Sequence, residues 1–170
     1  MSPLQLASGH GHLNIVQCLL DHGADPNCQD DDHRTPLSFA AEWDHVEIVR
    51  VLLNSDADAN FRDKDGRTLI HRACAYDCCT VSLVRLLLEH GADPSARDNK
   101  RRTPLHVASS PRSVYTSDPN SSLHLEIALV LLAHGANVDA EDDEGRTSLQ
   151  VALESGQAEM AQLLSEYCSK

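Results

Sequence analysis

His71, Cys74, Cys78 and Cys79 stand at i, i+3, i+7 and i+8, a spacing that brings the first three toward one face of a helix. Imidazole and thiolate are zinc ligands, so this is the chain's best raw material for metal chemistry, although the spacing matches no zinc finger. The vicinal pair Cys78 and Cys79 also offers oxidisable thiols. Catalysis finds less support. The chain contains no GxSxG, P-loop, HExxH or dinucleotide-binding fingerprint. The expectation is therefore a protein that is not an enzyme and uses no cofactor or catalytic metal.

Composition narrows the remaining classes. Residues are 41% hydrophobic but only 4% aromatic, which describes a core of small aliphatic side chains suited to short, closely packed helices. Six unevenly spaced cysteines without a secretory leader read as free thiols in a reducing compartment, so a cytoplasmic or nuclear location is expected. A formal charge of -12 disfavours nucleic acid and anionic membranes, whose binding rests on neutralising phosphate with Lys and Arg.

The elements that position these residues recur along the chain. SPLQLASGHGHLNIVQCLLDHGADPN (residues 2–27) aligns without gaps on TPLSFAAEWDHVEIVRVLLNSDADAN (residues 35–60), an offset of 33. TLIHRACAYDCCTVSLVRLLLEHGADPS (68–95) follows with two extra residues, and TPLHVASS (103–110) rejoins the pattern at LEIALVLLAHGANVD (125–139) after eleven more. TSLQVALESGQAEMAQLLSEY (147–167) closes the series. Thr35, Thr68, Thr103 and Thr147 are natural N-caps, and Pro3, Pro36 and Pro104 follow where a first turn has no N–H to lose. IVQCLL, IVRVLL, LVRLLL and IALVLL supply the apolar stripe of a second helix, ended by Gly23, Gly91 and Gly135. Asp56 replaces that glycine in the second copy, and Leu69 replaces the proline in the third.

This pattern resembles the ankyrin repeat over essentially the whole chain. The resemblance implies an all-α solenoid of stacked helix-turn-helix units with β-turn fingers. Five copies, the first and last truncated, are expected at approximately 1–29, 30–62, 63–97, 98–141 and 142–170, forming one domain and a segment of a longer array. It also implies that His71 and His106 hydrogen-bond between repeats and that Cys74 stands in for a small buried alanine. Asn27 and Asn60 fall at a framework asparagine that ties down the finger and that asparaginyl hydroxylases modify in such arrays.

The family binds protein partners through variable residues on a concave face made of fingers and inner helices. Matching the framework puts Glu42 and Trp43, and one repeat later Tyr76, at the exposed end of the inner helix. Arg34, Lys64, Arg67, Lys100 and Arg102 fall at fingertips, with Arg62 and Arg97 nearby, so an acidic protein carries a basic centre. Tyr115 lies in a Ser-, Pro- and Asn-rich insertion, residues 109–124. The expected function is a non-catalytic interaction module, monomeric by default, whose partner combines an acidic segment with apolar anchors. The alternatives are a substrate-recruiting domain of a larger enzyme or signalling protein, or a zinc- or redox-sensing array at His71, Cys74, Cys78 and Cys79.

Overall fold

The computed structural model describes residues 1–75, 80–110 and 122–168. Short helices form in pairs: α1 (Pro3–Gly9) with α2 (Leu13–Asp21), α3 (Pro36–Glu42) with α4 (Val46–Asn54), and α5 (Leu69–Ala75) with α6 (Val81–Glu89). α7 (Pro104–Ser109) pairs with α8 (Ser122–Ala133), and α9 (Ser148–Glu154) with α10 (Ala158–Cys168). There is no strand among the described residues, and no helix there is long and apolar enough to cross a membrane.

Each inner helix begins at its cap. Ser2, Thr35 and Thr147 accept the N–H three residues on, and Gln5, Ser38 and Gln150 reach back to the cap's own N–H. In the third and fourth units a histidine does this work: the Nδ1 of His71 accepts the N–H of Thr68 at 3.2 Å, and that of His106 accepts the N–H of Thr103 at 3.2 Å. The capping bonds explain why α5 starts at Leu69 without the proline of its neighbours.

Inner helices α1, α3, α5, α7 and α9 pack in succession, as do outer helices α2, α4, α6 and α8. A single alanine position, filled by Ala7, Ala40, Ala73, Ala108 and Ala152, is buried in every inner helix and lets successive backbones approach closely. Leu52, Leu87, Leu131 and Leu164 are fully buried in one continuous core. No unit buries both its faces alone, so the stack is the unit of stability.

Outer helices α2, α6 and α8 end with Gly23, Gly91 and Gly135 at φ 82°, 81° and 83°, and α4 ends with Asp56 forced to 63°. α8 begins at Ser122, three residues before the repeat pattern rejoins at Leu125, and His124 is buried within the helix. Ser109, in turn, is a buried helical residue whose hydroxyl donates to the carbonyl of Leu105. The insertion is thus narrower than residues 109–124, because helical packing claims both of its ends.

Candidate functional site

The fingers are built around a buried carboxylate. Asp98, with a side chain 1% exposed, accepts the N–H groups of Lys100 and Arg102 at 2.9 Å each through Oδ1, and its Oδ2 accepts from the Arg102 guanidinium at 2.7 Å. Asp142 repeats the arrangement with Glu144 and Arg146, and Asp30 with Asp32 and Arg34. Burial favours the neutral acid at Asp98, but hydrogen bonds from the Arg102 side chain and backbone outweigh it and hold the carboxyl below its ordinary range. Asp30 and Asp142 are lowered on the same balance.

Successive fingers are then tied together. Asn99 N–H donates to the carbonyl of Asp65 at 3.0 Å and Asp143 N–H to that of Lys100 at 3.0 Å. At the finger base, Asn27 and Asn60 each span two units: their carboxamide oxygens accept the N–H of Asp58 and Asp93, and their Nδ2 groups donate to the carbonyls of Asp56 and Gly91. His71 and His106 link inner helices to the following finger, with Nε2 3.0 Å from the carbonyls of Arg102 and Arg146. Nδ1 in each ring accepts from its cap residue, so Nε2 carries the proton and donates. Burial pushes both imidazoles below their ordinary pKa.

This scaffold holds open a groove of about 560 Å³ running across units three to five. Its floor comes from the inner helices, through Arg72, Ala75, Val107, Ser110, Val151, Glu154 and Ser155, and its wall from the fingers, through Arg67, Lys100, Arg102, Asp143, Glu144 and Arg146. Three of the expected contact residues, Arg67, Lys100 and Arg102, therefore meet in one place. Arg102 is committed to Asp98, whereas the Nε of Arg67 lies 3.9 Å from Asp98 and, among the described residues, no carboxylate lies within 4 Å of Lys100.

Trp43 closes α3 as its C-cap and is 66% exposed, with Glu42 exposed beside it. It occupies the register of Ser155, a groove residue, three units earlier. Arg34 is half-buried, paired with Asp30 at 2.9 Å and lying 4.6 Å over the ring of Phe39. The exposed Arg62 donates to the carbonyl of Arg97, so this pair sits along the finger bases, and Lys64 is exposed on its finger. Tyr76 and Tyr115 lie outside the described residues, as do Cys78 and Cys79. Cys74 is buried, both ring nitrogens of His71 are engaged by protein groups, and no metal-binding cluster occurs among the described residues.

Arg72 and Val107 are groove residues that the pattern of exposed helix ends passes over. Their signal is positional: the residue four after the N-cap is Leu6, Phe39, Arg72, Val107 and Val151 in the five units. Read down the stack, it forms an apolar row with one cation at its middle.

Comparison with family models gives a match of residues 1–63 and 55–115 to ankyrin repeats (3 copies), and of residues 122–164 to ankyrin repeats (many copies). No curated protein matches the chain significantly.

Proposed function

Because the chain belongs to the ankyrin-repeat family, whose members are generally protein-protein interaction modules, we propose that it is a non-catalytic module that holds a partner's polypeptide segment along its concave face. The observation that carries this reading is Trp43. A large indole 66% exposed at the end of a packed helix leaves most of its surface to water, and its register coincides with that of a groove residue. Rigid aromatic side chains bury large area at small entropic cost, which is why Trp and Tyr dominate binding hot spots at about 2 kcal/mol or more each. The basic fingers supply complementarity to an acidic stretch of the partner and steer its approach.

The test is affinity capture from cell extract on wild type and on Trp43→Ala/Tyr76→Ala, both confirmed by circular dichroism to melt at the same temperature. A protein retained by the wild type and released by the folded double variant, with backbone hydrogen exchange slowed around Glu42 and Trp43 when it binds, supports the concave-face reading. Equal retention by both proteins overturns it.

A further inference from the structure

The groove across units three to five changes sign along its length. At one end stand Arg67, Arg72, Lys100 and Arg102; at the other stand Asp142, Asp143, Glu144 and Glu154 around one arginine. Arg146 is saturated there, lying 2.9 Å from Asp142, 3.1 Å from Glu144 and 3.3 Å from Glu154. A single guanidinium shared among three carboxylates leaves this end with excess negative charge, and Asp143 adds to it from the fingertip. At the basic end Asp98 offsets Arg102, while Arg72 and Lys100 have no carboxylate within 4 Å among the described residues. Between the two ends the floor carries the half-buried Val107 and the buried Val151 beside the exposed Ser110.

Resting on the concave-face reading, we infer that the groove's occupant is an extended partner segment of mixed charge. An acidic side chain lies against Arg72 and Lys100, an apolar one over Val107, and a basic one against Asp143 and Glu154. Helices packed about 10 Å apart put unit five roughly 20 Å from unit three. An extended chain rises about 3.3 Å per residue, so the contacts at Arg72 and Glu154 fall about six residues apart on the partner, and those at Lys100 and Asp143, on adjacent fingers, about three. Like charge facing like charge is penalised at both ends, so the reversal selects against uniformly acidic and uniformly basic segments and fixes register.

A random twelve-residue peptide-display library, panned on four immobilised proteins, tests this: wild type, Arg72→Glu/Lys100→Glu, Asp143→Lys/Glu154→Lys, and Trp43→Ala. The milder Arg72→Gln and Glu154→Gln replace either charge reversal that melts early. Wild type is expected to enrich peptides with an acidic and a basic residue about three to six positions apart and apolar residues between them. The first reversal is expected to lose the acidic requirement and the second the basic one, with a synthesised wild-type peptide binding each at least about tenfold more weakly. Enriched peptides that are acidic and apolar but lack the basic residue overturn this inference and leave the concave-face reading standing. Identical enrichment on all four proteins overturns both, and a failure of wild type to enrich any peptide overturns the inference of a short mixed-charge segment.

Discussion

Gln5 and His71 stand at the same position of the first and third inner helices and make the same two bonds with different chemistry. Gln5 accepts the N–H of its cap residue Ser2 through Oε1 and donates Nε2–H to the carbonyl of Arg34 at 2.7 Å. His71 accepts the N–H of Thr68 through Nδ1 and donates Nε2–H to the carbonyl of Arg102 at 3.0 Å. The amide does this at every pH, whereas the imidazole does so only when neutral.

His71 and His106 both have folded pKa values lowered, first by burial, below the ordinary value of about 6.5. The unfolded chain therefore takes up protons that the folded chain refuses. The stability contributed by the neutral rings is complete above about pH 6.5 and is lost as pH falls from there toward the folded pKa values. The lowered carboxylates Asp30, Asp98 and Asp142 act in a separate window: their contribution is lost only below about pH 4, where unfolded carboxylates protonate. His71→Gln/His106→Gln is expected to match wild type within about 1 kcal/mol at pH 7.5, since each swap keeps both bonds. It should exceed wild type at pH 5.5. Urea denaturation across pH 5 to 8 reads this directly, and parallel curves for the two proteins would show that the rings titrate alike in both states.

Asp98 organises its finger through bonds to two backbone N–H groups and a guanidinium, all from a side chain 1% exposed. Asp98→Ala is expected to cost about 2–4 kcal/mol, because the buried donors lose their acceptor and Arg102 its counter-ion. Asp63 accepts the N–H groups of Asp65 and Arg67, but among the described residues no guanidinium nitrogen lies within 4 Å of it. Asp63→Ala should therefore cost clearly less, about 1–2 kcal/mol, in the same urea titration.

Backbone handedness gives an opposed pair of substitutions. Asp56 holds φ 63° where the matching residues are Gly23, Gly91 and Gly135, and Asp56→Gly is expected to stabilise by about 0.5–1 kcal/mol. Gly66 holds φ 72° against the next finger, and a Cβ there would stand 2.9 Å from the backbone nitrogen of Asn99. Gly66→Ala combines strain with a backbone clash and should destabilise by more than about 1 kcal/mol. Thermal melts of the two variants are expected to move in opposite directions from wild type.

Legibility in the sequence followed periodicity. Helix pairs, caps and the positions of His71 and His106 recur at fixed places within each copy, so each copy corroborates the others. Arg72 and Val107 escaped because a helix end is exposed in any helix, whereas a groove floor exists only once neighbouring units are stacked. The commitment of Arg102 to Asp98 was hidden for a related reason: a charge run on paper does not distinguish a guanidinium bound within its own turn from one facing outward. The sequence overstates the extent of the insertion because Ser109, Ser122 and His124 look like loop composition, yet tertiary burial of Ser109 and His124 overrides that propensity.

Stacking between units also sets the burial of one repeated position of the outer helices. Ile15, Ile48, Leu83, Ile127 and Met160 occupy it in order, with exposures of 51%, 2%, 0%, 0% and 2%. No described unit packs in front of Ile15, whereas α4, α6 and α8 each pack on the preceding outer helix, the physical source of burial at Ile48, Leu83 and Ile127. Ile48→Ala removes three carbons from a closed seam between units and is expected to cost about 2–4 kcal/mol, transfer and cavity together. Ile15→Ala removes the same atoms from a side chain already half in water and should change stability by about 0.5 kcal/mol or less. Equal losses at the two sites would mean that each unit folds on its own contacts; a large difference means that the interface between units is where this chain keeps its stability.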